Sequence, residues 1–99
     1  MAKYDIHNAP GDTGFLLNIQ SDLLEDLNTR VVVPLLTVPQ APKAAERLNP
    51  VFEISGKNFV MVTQFLSSVP ISILEPPVDN LARHHEDIVS AVNMLTHGF

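Results

Sequence analysis

The side chains best suited to metal chemistry are four consecutive residues near the end of the chain: His84, His85, Glu86 and Asp87. The sequence pattern predicts a helix there, and successive helical side chains point about 100° apart, so adjacent histidines cannot chelate one ion together. His84 and Asp87 have the i,i+3 spacing of helical ligands, but two ligands make a weak site. We therefore predict no metal site and expect a solvated helix face that lies near a dimer axis.

Candidates for nucleophilic or nuclease chemistry are scattered along the chain. Ser21 and the pair Ser67-Ser68 carry hydroxyl groups, but no glycine-rich elbow or nearby histidine would activate them. An RNase-type site needs an acid–base pair and a cation for the phosphate. Arg30, Asp22 and His7 could supply these groups, although nothing in their spacing requires them to converge. The alternative, which we favour, is that Arg30 begins a strand beside a carboxylate partner and that the chain has no catalytic residue.

The elements that would position these residues are mostly short strands. Residues 4–7 and 15–19 flank a cluster of turn formers at 8–12, so they predict a hairpin with a glycine-containing loop. Three consecutive valines resist helix formation and predict a strand over residues 30–36. Pro34 cannot donate a hydrogen bond to a neighbouring strand, so we expect an edge, a bulge or a bend there.

The middle of the chain predicts further strands. Residues 37–50 contain three prolines and predict a long loop. Residues 51–54 and 58–63 predict a tight hairpin, and residues 69–74 predict a strand that ends before two prolines. About five to seven short strands in a chain of this size indicate a small, curved antiparallel sheet or a partly open barrel.

The end of the chain predicts a helix, because its apolar residues fall on one face at 3.6-residue spacing. Asp79 or Asn80 is suited to cap the start of this helix, and Gly98 is suited to cap its end. The predicted fold class is therefore mainly β, a β-rich α+β domain with one C-terminal helix. The apolar face of that helix consists of Leu81, Ile88, Ala91, Val92 and Leu95.

The length and composition of the chain limit what it can be. Ninety-nine residues predict one domain spanning residues 1–99. Such a short chain buries only roughly 60–68% of the surface that it exposes when unfolded, so a homodimer would add useful burial. The absence of cysteine excludes disulfides, a thiol nucleophile and thiolate metal sites. We find neither a secretory signal nor an apolar run near the ~20 residues of a membrane span, and expect a cytoplasmic protein.

The charge balance favours a protein partner over a nucleic acid. Six Lys and Arg against eleven Asp and Glu give a net charge of −5, and the pI is about 5.1. Direct nucleic-acid binding requires a cationic surface, whereas the six cations here are dispersed along the sequence. The four glycines are dispersed as well, so no phosphate-binding loop and no cofactor are predicted.

Two stretches are hard to explain as core. Leu23 and Leu24 lie in an acidic connection, where they either cover one end of the barrel or form an exposed contact. The chain ends in Gly98 and Phe99, although termini are usually polar unless something fixes them. Phe99 therefore either packs into a core or dimer seam or forms an exposed recognition tip.

Several stretches, taken in their order and position, resemble the CcdB family, the toxins of a type II toxin–antitoxin pair. They are residues 20–24 (QSDLL), 28–30 (NTR), 33–35 (VPL), 68–70 (SVP) and a terminal helix with a glycine-hydrophobic tail. The resemblance implies an SH3-like, strongly bent sheet and a homodimer formed across the helix. It also implies a non-enzymatic toxin that binds the DNA gyrase A subunit and traps gyrase on cleaved DNA. A CcdA-like antitoxin would neutralise the toxin and form a repressor complex with it.

The resemblance also assigns residues. His97 stands where a plasmid-borne member of the family has a tryptophan that stacks on a gyrase arginine, and imidazole can stack in the same way over a smaller area. The antitoxin contacts, by analogy, lie in two loops and include Asn8, Pro10, Gly11, Asp12, Pro42, Lys43 and Arg47. The gyrase contacts carried over by position are Leu23, Leu24, Asn93, Thr96, His97, Gly98 and Phe99.

Two other functions remain open from the sequence. One is an endoribonuclease toxin on a related barrel, similar to the MazF/Kid family, which would need a cationic RNA groove and an acid–base pair. The other is a degenerate homologue that only binds antitoxin. Growth arrest on expression without antitoxin would exclude the second of these.

Overall fold

The computed structural model describes residues 1–98 and contains seven antiparallel strands followed by one helix. The sheet curls into a half-barrel in which the strand order is β4-β5-β3-β2-β1-β7, and β6 pairs with β3 outside this path. This confirms the predicted mainly β class with a C-terminal helix. The elements are β1 (Asp5–Asn8), β2 (Gly14–Asn18), β3 (Thr29–Thr37), β4 (Val51–Ile54), β5 (Lys57–Met61), β6 (Ser67–Pro70), β7 (Pro77–Asn80) and α1 (His85–His97).

Strand β3 organises the sheet because it pairs on both of its sides. One side pairs with β2, while the other pairs with β6 over residues 29–32 and with β5 over residues 35–37. Pro34 lies where β3 exchanges one partner for the other, and its carbonyl accepts a hydrogen bond of 3.0 Å from Val62 N. A residue without an N–H group is tolerated there because the ladder is already interrupted. The predicted irregularity at Pro34 is thus present.

The two predicted hairpins are confirmed. Strands β1 and β2 pair around a loop that contains a 3-10 turn at Pro10–Asp12, and β4 pairs with β5 around Ser55 and Gly56. Gly14, at the start of β2, has a φ of +142°, and a Cβ atom there would lie 2.0 Å from the carbonyl oxygen of Leu35. Only glycine therefore allows β2 to approach β3 this closely.

The strand predicted over residues 69–74 is wrong in its second half. Strand β6 ends at Pro70, which pairs with Thr29 at the beginning of β3, and beyond it Ile71 N donates to the Asn28 carbonyl at 2.9 Å. The next residues, Ile71–Ile73, form a 3-10 turn instead. Strand β7 was missed because it begins with Pro77, which is tolerated at the edge of a sheet.

The predicted cap at the end of the helix is confirmed, but the predicted cap at its start is wrong, because α1 begins after His84, which makes no side-chain cap bond. The side chain of Asn80 accepts a hydrogen bond of 2.8 Å from Ala82 N, at the start of a 3-10 turn that leads into α1. Gly98 adopts the left-handed conformation, and its N–H donates to the carbonyls of Asn93 and Met94. The apolar face is only partly buried, because Leu95 remains 40% exposed.

The core lies between the sheet and α1. Phe52, Ile6, Leu17, Leu35 and Met61 are the largest buried side chains that the strands contribute. The helix and the residues before it add three more buried apolar side chains to the same cluster: Leu81, Ile88 and Ala91. The end of α1 extends beyond this contact, which leaves it accessible.

We predict that Gly14→Ala destabilises the fold by about 2–4 kcal/mol, because it combines a positive φ with a collision against backbone. The matched control is Gly56→Ala, whose Cβ atom would meet open space at a φ of +81° and should cost about 1 kcal/mol. Urea denaturation of both variants measures the difference. Equal losses for the two variants would contradict this explanation of Gly14.

Candidate functional site

The connection between β2 and β3 exposes leucine side chains. Asp22–Leu24 forms a 3-10 turn, and the Ser21 hydroxyl accepts a hydrogen bond of 3.2 Å from Leu23 N. Leu23 is 94% exposed and Leu24 is 49% exposed. The alternative in which one or both leucines cover a barrel end is therefore wrong for Leu23, whereas Leu24 is half exposed. We call residues 21–28 the leucine loop.

Buried Arg30 holds the leucine loop from below. Arg30 is only 6% exposed. Its guanidinium donates hydrogen bonds to the backbone carbonyls of Leu27, Thr29 and Glu25 at 2.7, 2.8 and 2.9 Å. The prediction of a carboxylate partner for Arg30 is wrong, since these bonds all go to backbone oxygens. A buried cation must be satisfied by such acceptors, and this requirement fixes the loop around it.

A second buried side chain, Gln20, reinforces the same loop. Its amide nitrogen donates to the carbonyls of Leu24 and Thr29 at 3.3 and 3.1 Å. Its amide oxygen accepts from Val31 N at 3.1 Å, so one side chain joins the loop to β3. The exposed leucines therefore project from a loop that is tied down at several points.

The three residues considered for nuclease chemistry are each held by a different partner. His7 is fully buried, and its Nδ1 lies 2.5 Å from the carbonyl oxygen of Glu75. Asp22 accepts a hydrogen bond of 2.8 Å from Lys3 N, and Arg30 is engaged by the leucine loop. Arg30 is therefore not a free cation, whereas Nε2 of His7 is buried and has no hydrogen-bond partner among residues 1–98.

The end of α1 exposes the second predicted stretch. Asn93, Thr96, His97 and Gly98 are all exposed, and the Thr96 hydroxyl donates to the carbonyl of Val92 at 2.9 Å. Phe99, the last residue of the predicted contact, lies outside the described residues. Two apolar side chains of the same helical turns, Met94 and Leu95, are 37% and 40% exposed.

A cleft of about 220 Å³ lies beside α1. Lys3 and Asn93 both line it, and the backbone N–H of Lys3 is bonded to Asp22 in the leucine loop. The structure thus brings the leucine loop and the outer half of α1 to the same region. Sequence reasoning missed the cleft. It also missed Leu27, a third residue of the leucine loop that is exposed, at 49%. The signal for Leu27 was available, because it is a third leucine in an acidic connection.

The histidines at the start of α1 attach the helix to the sheet. The ring of His84 lies over that of Phe52 with centroids 4.6 Å apart, and Nδ1 of His85 is hydrogen-bonded to the Tyr4 hydroxyl. The predicted solvated face is correct for His85, which is exposed, but only in part for His84, which is half-buried. Among residues 1–98, no three acidic or histidine side chains form a group that could hold a metal ion.

The two predicted antitoxin loops are both exposed, and they begin near each other. Asn8 and Asp12 line a shallow concavity of about 160 Å³ together with Thr37, where the second loop starts. Arg47 Nε donates to the Ser90 hydroxyl at 3.0 Å, which ties the second loop to α1. The remaining predicted contacts, Pro10, Gly11, Pro42 and Lys43, are exposed in the same two loops.

A family comparison agrees with this arrangement. The family model described as CcdB protein matches residues 3–98, which is nearly the whole chain. The match includes the leucine loop, β3 and α1. In the part of the chain that the structure describes, no helix is both long enough and apolar enough to cross a membrane.

We predict that Arg30→Ala lowers the free energy of unfolding by about 2–4 kcal/mol, because it leaves three carbonyls without their donor. Amide hydrogen exchange should also accelerate in the leucine loop before it does so in the core strands. Arg83→Ala is the control, since Arg83 is exposed and both of its contacts, with the Asp79 carboxylate at 3.6 Å and with the Asn80 carbonyl at 2.8 Å, lie at the surface. If both variants unfold at the same urea concentration, Arg30 does not hold the loop.

Proposed function

The chain belongs to the CcdB family of toxin–antitoxin toxins, and on that premise we propose that it binds the A subunit of DNA gyrase and holds the enzyme on cleaved DNA. The observation that carries this proposal is the 94% exposure of Leu23 on a loop fixed by buried Arg30. An exposed leucine on a mobile loop would lose conformational freedom on binding, whereas one on a fixed loop loses little. The leucine loop is therefore built to contact another protein.

The proposed gyrase surface combines this loop with the end of α1. Asn93 of this helix lines the same cleft as Lys3, whose backbone N–H is bonded to Asp22 in the leucine loop. Exposed apolar groups next to polar ones are typical of protein interfaces. The residues that we assign to this surface are Leu23, Leu24, Asn93, Thr96, His97, Gly98 and Phe99.

The mechanism that we propose traps one state of the enzyme and involves no chemistry by the toxin. A ligand shifts an equilibrium only by its differential affinity for the two states. A homodimer would present two copies of the surface around a two-fold axis, matching a two-fold partner that has opened. Binding there would stabilise gyrase with its DNA cleaved. The net charge of −5 suits this mechanism, because it requires no contact with DNA phosphates.

The antitoxin surface is proposed to lie elsewhere, on the loops that contain Asp12 and Arg47. Both loops are exposed, and a CcdA-like antitoxin segment can follow them without displacing a core residue. We place the toxin in the cytoplasm, where gyrase and the antitoxin are found. The complex of toxin and antitoxin would also act as a repressor of its operon.

We predict that Leu23→Asp weakens DNA cleavage by purified gyrase of the host species at least about tenfold, because the exposed leucine supplies an interface contact. The melting temperature should stay unchanged, since the side chain is 94% exposed in the free protein. Ile73→Asp is the matched control, an exposed aliphatic residue in another 3-10 turn, and it should keep full activity.

Two results would overturn the proposal. The first is that the wild-type protein at micromolar concentration produces no cleaved DNA with gyrase, and the second is that Leu23→Asp and Ile73→Asp behave alike. Incubation of the wild-type protein with labelled single-stranded RNA accompanies the assay, and sequence-specific RNA cleavage would favour the endoribonuclease instead. Absence of growth arrest on expression without antitoxin would indicate a degenerate homologue.

A further inference from the structure

The second antitoxin loop, residues 37–49, has little regular structure to fix its shape. A 3-10 turn at Val38–Gln40 is followed by residues 41–49, which lie in neither a helix nor a strand. Residues 42–47 are all exposed. A segment of this kind keeps one conformation only where other groups bond to its backbone. The shape of the second antitoxin loop must therefore come from the side chains beneath it.

One buried side chain, Asn49, supplies such bonds. The residue is 6% exposed, and its Oδ1 accepts a hydrogen bond of 2.9 Å from Ala45 N. Its Nδ2 donates to the Met61 carbonyl at 3.0 Å and to Gln64 Oε1 at 2.8 Å. The amide oxygen and both amide hydrogens thus have partners. A buried amide satisfied in this way fixes its surroundings, because any displacement leaves a polar group unpaired.

The backbone of the loop closes around the same residue. Asn49 N donates to the Ala45 carbonyl at 2.9 Å, so both backbone groups of Ala45 are bonded to Asn49. Inside the turn closed by these bonds, Arg47 has a φ of +68°, which a residue other than glycine keeps only where its surroundings impose it. Buried Thr63 adds a bond from its hydroxyl to the Leu48 carbonyl.

The closed turn presents Arg47, one of the proposed antitoxin contacts. Its Nε is bonded to the Ser90 hydroxyl at 3.0 Å, which holds the side chain against α1. A partner segment that binds here loses its own conformational freedom, whereas a loop that is already fixed loses little. Affinity for the antitoxin therefore depends on keeping residues 45–48 in this conformation.

We propose that Asn49 is the positioning residue of the antitoxin surface, and that its buried amide holds residues 45–48 in the conformation that the antitoxin contacts. This inference rests on the proposed function and names the group that fixes one of its two surfaces. The partners of the Asn49 side chain are Ala45, Met61 and Gln64, and none of these belongs to the leucine loop or to the proposed gyrase contacts. Loss of the Asn49 amide should therefore affect antitoxin binding and leave the action on gyrase intact.

The test is Asn49→Ala, measured by calorimetry with the purified antitoxin of the same operon and by DNA cleavage with purified gyrase. We expect antitoxin binding to weaken at least about tenfold, while DNA cleavage stays within twofold of wild type. Amide hydrogen exchange of residues 45–48 should also become at least about tenfold faster in the free protein. All measurements are made at a temperature where the variant is folded by circular dichroism.

The matched control is Asn18→Ala, which removes a second buried asparagine amide. Asn18 is 1% exposed, and its side chain bonds to Ala2 and Gln20, away from both antitoxin loops. This variant should also lose stability, but it should bind the antitoxin like wild type. The control thus separates the position of Asn49 from the general cost of emptying a buried polar site.

Thr63→Val keeps the proposal testable if Asn49→Ala does not fold. It preserves the shape of the buried side chain and removes only the hydroxyl that bonds to Leu48. We expect the same pattern at a smaller size, with antitoxin binding about threefold to tenfold weaker and gyrase-mediated cleavage unchanged.

Three results would overturn the role of Asn49 while the proposed function stands. One is antitoxin binding within twofold of wild type in both variants of the Asn49 network, and another is an equal loss of antitoxin binding in Asn18→Ala. The third is a parallel loss of antitoxin binding and DNA cleavage, which would make Asn49 a general support of the fold. A wild-type protein that binds no antitoxin would instead overturn the proposed antitoxin surface itself, and this inference with it.

Discussion

A buried guanidinium must find hydrogen-bond acceptors, and Arg30 finds them in the backbone of the loop that precedes its strand. Water is excluded from this position. Each loop carbonyl that turned away from Arg30 would therefore leave one N–H group of the charged guanidinium without an acceptor. The cost of that loss keeps residues 25–29 wrapped around the Arg30 side chain, and Gln20, which lies two residues after the end of β2, adds further bonds. Leu23 lies just before these residues, in the 3-10 turn that the Ser21 hydroxyl caps, and its side chain is 94% exposed.

The second constraint is the attachment of α1 to the sheet. Tyr4 and Phe52 hold the two histidines at its start, while Ile88 and Ala91 are buried against the core. The last turns of the helix carry exposed side chains, which include Asn93 and Thr96. The cleft at Lys3 and the concavity at Asp12 share no lining residue, and variants in one can therefore be separated from effects on the other.

Much of the fold could be predicted from local sequence, because its signals are local. The three valines of β3, the turn formers of both hairpins and the Gly98 cap each act within a few residues. Strand β7 could not be predicted, since it begins with a proline and is stabilised only by pairing with distant β1. The partners of Arg30 were also beyond prediction, because backbone carbonyls are present at every position and leave no pattern. Of the candidate site, the exposed leucines were visible as an anomaly, whereas the cleft joins residues from both ends of the chain.

The central claim is that a fixed leucine loop is the surface that engages gyrase. Methyl NMR of the protein with labelled leucines, titrated with the isolated gyrase A subunit, tests it most directly. The account predicts that the Leu23 and Leu24 methyl signals shift or broaden, while those of buried Leu17 and Leu35 hold their positions. Binding that leaves the Leu23 and Leu24 signals unmoved would contradict the account.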